Sequence, residues 1–153
     1  MGLALQFLLG NVDVIENAIR SIDFEHLDDP GIVHQRADFS LHITPKDLDL
    51  LSRELGVISD QSPIDLRPSL NVIIDEQDRG LLAVDQSWIQ YVALLATETV
   101  LDVTKNWALA MQREYSDPNI RVTSEMQKSV LDLINLCKAA SMSDMQVLHA
   151  WFL

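Results

Sequence analysis

What most narrows the fold of this chain is the order in which its hydrophobic periods occur. Apolar residues alternate with a period of two in short runs that all lie before residue 85, at 3–9, 39–43, 70–74 and 81–84. After residue 85 they recur at three- and four-residue spacing instead. The first pattern puts successive side chains on opposite faces of a strand; the second lines them along one side of a helix. Strands gathered early and helices late predict an α+β domain. Its expected sheet is small and mostly antiparallel, of about four strands, and is packed against helices.

Within that frame the segments follow from local chemistry. Leu3, Leu5, Phe7 and Leu9 alternate with Ala4, Gln6 and Leu8, which predicts a strand ended by Gly10. Asn11 is placed to cap a helix carrying Val12, Ile15, Ile19 and Ile22 through about Ser21. Residues 24–35 are acidic, broken by Asp29-Pro30-Gly31 and without a sustained period, so an exposed connection is expected there. Phe39, Leu41 and Ile43 alternate with Asp38, Ser40 and His42 as a half-exposed strand. Thr44-Pro45-Lys46-Asp47 is a helix start, with Leu48, Leu51 and Leu55 as the apolar stripe and Gly56 as the stop.

Residues 59–69, with two prolines and three charges, are expected to form a loop. The runs around Glu76-Gln77-Asp78-Arg79-Gly80 predict a hairpin whose Gly80 adopts a positive φ. Asp85 or Ser87 then caps a long central helix over 86–115, with a second apolar stripe of Leu94, Leu101, Ala108 and Tyr115 that should also be buried. Ser124 with Gln127 predicts a capping box for a helix through about Ala140, and a short final helix turns Leu148, Trp151 and Phe152 inward. All of residues 1–153 are read as one domain.

Charge is distributed as unevenly as period. Residues 1–85 hold 16 Asp and Glu against 6 Lys and Arg, whereas 86–153 hold 7 against 5, so most of the net −12 lies in the strand-containing half. A field of one sign speeds encounter with a basic partner and opposes contact with nucleic acid or anionic lipid. Arg113, Arg121, Lys128 and Lys138 are too sparse for a nucleic-acid stripe, and no run approaches the roughly 20 apolar residues that cross a bilayer. The apolar start lacks a positive n-region and the myristoylation pattern fails at Gln6, so no targeting signal is read and a cytoplasmic location is expected. The single Cys137 suits a reducing compartment.

Residues able to carry chemistry are present, but not in catalytic spacing. The glycines at 2, 10, 31, 56 and 80 are isolated and form no phosphate cradle. His26, His34, His42 and His149 lack metal-ligand spacing, although the first three recur every eight residues and two of them with Asp28 or Asp38 would make a donor set. Cys137 lies among Leu133, Ile134 and Leu136, where a thiol packs as a small hydrophobe, and no nucleophile elbow occurs. Carboxylates around the hairpin would suit acid–base work or a divalent ion but match no calcium loop. The expectation is therefore a protein without catalytic residues, metal or cofactor.

What remains is a docking surface. Its candidate contacts are Asp23, Glu25, Asp28 and Asp29 in the first loop, Asp75, Glu76, Asp78 and Asp85 around the hairpin, and Trp88 at the mouth of the long helix. The same residues also suit a solvated face that keeps the chain soluble. A small, acidic, cysteine-poor domain without catalytic motifs resembles in general character the bacterial immunity proteins of contact-dependent inhibition and related polymorphic toxin systems. The resemblance implies one high-affinity partner, a basic nuclease-like toxin domain blocked by surface complementarity. No motif is shared residue by residue, so no functional residue is carried over. A regulatory or scaffolding module, and then a carboxylate- or metal-dependent hydrolase, are the alternatives.

Overall fold

The computed structural model describes residues 3–41, 43–58, 65–66 and 70–153. The expected strand at the start is β1 (Ala4–Gly10), and its near-continuous apolar content reflects cover on both faces. β2 (Val33–Asp38), β3 (Leu70–Asp75), β4 (Arg79–Val84) and β5 (Gln146–Phe152) complete a five-stranded sheet in the order β2-β1-β5-β4-β3. Every neighbouring pair is antiparallel.

The sheet has five strands rather than about four because the last segment is not a helix. Residues 146–152 pair with β1 on one side and β4 on the other, which makes this strand the centre of the sheet. Val147, Leu148, His149 and Ala150 are all buried, two to each face. A short run buried on both faces carries no alternation that would separate strand from helix.

The second strand also lies upstream of its expected place. Residues 33–38 pair with β1 and the Phe39 N–H still donates to the Leu5 carbonyl at 2.7 Å, whereas 40–41 leave the ladder. The Asp38 carboxylate accepts the Ser40 N–H at 2.9 Å, and the Ser40 hydroxyl accepts the Leu5 N–H at 3.1 Å. Side chains thus replace the backbone ladder and bend the chain away. His42 and most of the expected loop at 59–69 lie outside the described residues.

Helices cover both faces. α1 (Val12–Arg20), capped by the Asn11 side chain accepting from the Val14 N–H at 3.2 Å, packs Ile15, Ala18 and Ile19 against Leu8, Leu81, Leu148 and Ala150. A 3-10 turn, Phe24–Asp28, adds Leu27 to this core, so the acidic connection is partly ordered. The opposite face of the sheet, with Leu5, Phe7, Leu9 and Val147, carries the larger core under α2 (Pro45–Ile58), α3 (Gln86–Ala93), α4 (Val100–Tyr115) and α5 (Ser124–Ser141). Trp88 and Trp107 lie in this core, their indole N–H groups donating to the Ser52 hydroxyl and the Asp47 carbonyl, each at 2.8 Å.

The long helix expected over 86–115 is two helices. α3 packs on α5 and α4 on α2, two directions that one straight rod would not serve. Between them Ala96 is extended, Thr97–Thr99 forms a 3-10 turn, and the Thr99 hydroxyl donates to the Ala96 carbonyl at 2.6 Å. From α5, the Lys138 ammonium donates to the Ala93 carbonyl at 2.8 Å, a cation at a helix C-terminus. The second stripe is correspondingly not buried: Leu94 is 76% exposed and Leu101 64%, while Ala108 alone of the four is fully packed.

Three smaller expectations are also corrected. α2 continues through a buried Gly56 to Ile58. The cap of α5 is Thr123, not Ser124, with its hydroxyl accepting the Met126 N–H at 3.2 Å. Gly80 has no positive φ. It lies inside β4 opposite Trp151, and a Cβ there would fall 2.0 Å from the indole Nε1, so close approach and not turn geometry is what demands glycine.

Candidate functional site

Antiparallel register collects one end of every strand pair at the same edge of the molecule. Gln6 lies opposite Asp38, Phe152 lies between Ala4 and Arg79, and Asp75 lies opposite Gly80. The hairpin turn closes with the Glu76 N–H donating to the Arg79 carbonyl at 2.9 Å. The Leu153 N–H donates to the Asp78 carbonyl, also at 2.9 Å, which ties the hairpin to the end of the central strand.

The acidic connection reaches the same place from the α1 side. α1 ends with Asp23 N–H bonded to the Ala18 carbonyl and Ile22 N–H to the Ile19 carbonyl, with Ile22 at φ 58°. These are the two bonds of a Schellman motif, and they turn the chain so that Phe24 stacks on Phe152, centroids 4.2 Å apart and planes at 11°. Asp23 and Glu25 beside Phe24, and Asp75, Glu76 and Asp78 around the hairpin, therefore flank the end of one strand. Asp38, at the end of β2, joins them. It was legible only as a polar strand position, because nothing local shows which sheet end a residue will share.

The carboxylates differ in how committed they are. Asp23 pairs with the His26 Nδ1 at 2.6 Å, Asp28 with Arg36 at 3.2 Å, and Asp78 with Arg79 at 2.6 Å. Asp29 accepts the Gly31 N–H at 2.8 Å and serves the turn. Glu25, Asp75 and Glu76 are exposed and make no side-chain hydrogen bond or ion pair among the described residues. These three contribute uncompensated charge to the surface.

Two expected contacts do not belong to this end. Asp85 follows β4 at its far end, a strand of roughly 20 Å away, where it occupies the cap position of α3 and accepts from the Ser87 hydroxyl. Trp88 is 1% exposed and stacks on Phe7 at 5.9 Å, so it is a core side chain and not a partner contact. Its position one turn into an amphipathic helix was the signal for burial.

A further cavity lies elsewhere, on the helical face. It is a groove of about 680 Å³ with Leu41, Met111, Ile120 and Met126 among its apolar lining. Its polar rim is largely self-satisfied. The buried Asp47 carboxylate accepts from the Thr44 N–H at 2.7 Å and from the Tyr115 hydroxyl at 2.7 Å. The Glu125 carboxyl is held below its usual range by its own backbone N–H and by the Ser124 and Thr123 hydroxyls.

The remaining reactive groups are dispersed. His34 is exposed on β2, His26 pairs with Asp23, and His149 is in the core, its pKa pushed down to about 4 by burial. Cys137 is buried, and burial raises its thiol pKa. Among the described residues no cluster of three His, Cys, Asp or Glu is arranged to hold a metal ion, and no helix is long and apolar enough to cross a membrane. Comparison with protein-family models, curated proteins and solved structures gives no match.

Proposed function

We propose that this chain is an acidic protein-binding inhibitor, an immunity protein that acts in the cytosol and neutralises a basic, nuclease-like toxin domain by occluding its cleft. The observation that carries this reading is the convergence of Asp23, Glu25, Asp75, Glu76 and Asp78 on one end of the sheet through the Phe24–Phe152 stack and the Leu153–Asp78 bond. Carboxylates presented together on a rigid edge resemble the phosphates that a basic cleft is built to hold. Partner choice and encounter rate would come from charge, and neither catalysis, metal nor cofactor is required. Nucleic acid and anionic membrane are disfavoured by the same field.

A second reading, a regulatory or scaffolding module, is favoured by the apolar groove between α4 and α5. Hydrogen-exchange footprinting with the partner captured from the native organism separates the two. Protection at residues 23–28 and 75–79 supports the inhibitor reading. Protection confined to residues 111–126 supports the module and overturns it.

A further inference from the structure

A second feature of the acidic end is a slot of about 280 Å³ on the α1 face, lined by Phe24, Leu27 and Phe152 and by Gln6, Glu25 and Asp28 beside Arg36. Its size falls below the range of small-molecule pockets and suits one long side chain. Gln6 is only 8% exposed, and its Oε1 is buried without a hydrogen-bond partner among the described residues. An acceptor left so is costly, and because Gln6 lines the slot, a turn of its amide would bring that oxygen to a donor entering there.

The charges around the slot decide what kind of donor. Arg36, the cation in its wall, is already committed to the Asp28 carboxylate at 3.2 Å and to the Leu27 carbonyl. Glu25 is exposed and has no partner among the described residues. The slot thus holds two acceptors without a partner among the described residues, the neutral oxygen of the Gln6 amide and, at the rim, the Glu25 carboxylate, whose charge is what selects a cation. Between them stand two phenylalanine rings suited to the stem and the head of a cationic side chain.

We propose that this slot receives a single lysine or arginine side chain of the protein partner, with Gln6 Oε1 accepting from its head group, Glu25 neutralising it, and Phe24 and Phe152 packing its stem. The proposal rests on the docking reading and gives that surface its anchoring pocket.

The test needs no partner. The isotope-labelled full chain is titrated with N-acetyl-arginine amide and, separately, with the uncharged N-acetyl-norleucine amide, and shifts are followed at Gln6, Glu25 and Phe152. The arginine probe should bind saturably, the norleucine probe should not, and Gln6→Leu should weaken binding about tenfold, the loss expected for one charged hydrogen bond. Glu25→Gln, at an exposed position where folding is not at risk, should weaken it about threefold.

No saturable shift at these residues, equal response to both probes, or unchanged affinity in both variants would overturn the slot. Reversal of Asp75, Glu76 and Asp78 to lysine leaves every slot residue in place. Probe binding retained in that variant while partner association is unaffected by the reversal would count against the docking reading alone. Partner association lost on reversal, with no probe binding in the unaltered chain, would count against the slot alone.

Discussion

Phe24, just beyond α1, and Phe152, the last residue of the central strand, stack at 4.2 Å with their planes 11° apart, and this contact fixes where the first acidic cluster lies relative to the second. Both rings are half-buried, so removing either should cost about 1–3 kcal/mol, less than a fully buried phenylalanine. A double-mutant cycle of Phe24→Ala and Phe152→Ala in urea should return a coupling of about 0.5–1.5 kcal/mol. Additive effects would mean that the rings do not hold the clusters together.

Ile22 closes α1 at φ 58°, a conformation that costs a β-branched residue about 1–2 kcal/mol and glycine almost nothing. Its side chain is 58% exposed and contributes little packing. After the greater chain entropy of glycine in the unfolded state is subtracted, Ile22→Gly should stabilise the protein by about 0.5–1 kcal/mol. The urea midpoint is the readout, and a lower midpoint would contradict the strained cap.

His149 has its pKa pushed from the usual 6.5 down to about 4 by burial, opposed in part by a hydrogen bond to the Gln6 backbone. Its Nδ1 has no partner among the described residues. The unfolded chain therefore binds a proton between these values that the folded chain refuses, and stability falls as pH is lowered from about 6.5 towards 4, by up to about 3 kcal/mol. Above pH 7 the residue contributes no pH dependence. In His149→Phe, which keeps a ring against Phe7, the slope over that window should be shallower than in the unaltered chain, whereas equal slopes would mean that other groups carry it.

Gly80 admits the Trp151 indole so closely that a Cβ would overlap it. Gly80→Ala should cost about 1–3 kcal/mol, since the indole must leave its position over β4. Trp151 fluorescence should shift with the substitution. An unchanged spectrum and stability would show that the indole moves freely.

Much of this architecture was legible where one period met one face. β1 with its alternating apolar residues, α1 with its asparagine cap, the 70–84 hairpin and α5 follow from local patterning. The failures share a cause: tertiary partners overrode or replaced a local signal. Residues 146–152 read as a helix because a strand buried on both faces has no alternation. The break at residues 94–99 carries neither glycine nor proline, and it exists because α3 packs mainly on α5 and α4 mainly on α2, with Lys138 reaching over from α5 to donate to the Ala93 carbonyl.

The site was half legible for a related reason. Composition marks Asp23, Glu25, Asp75, Glu76 and Asp78 as two acidic clusters, but strand order is what brings them to one end. The same strand order sends Asp85 to the other end. Gln6 gave no signal at all, because a lone polar residue in a buried strand becomes informative only once its neighbours across the sheet are known.

We propose that the acidic end of the sheet, and not the acid of the chain as a whole, meets a basic partner. The most direct test is the association rate of that partner at low and high salt with two reversed forms, one carrying Asp75, Glu76 and Asp78 as lysine and the other carrying only Asp85→Lys at the far end. At low salt the first form should associate about 10- to 100-fold more slowly, a difference that shrinks as salt rises, and the second should change little. Equal rates for the first form and the unaltered chain, or an equal fall in both reversed forms, would contradict the proposal.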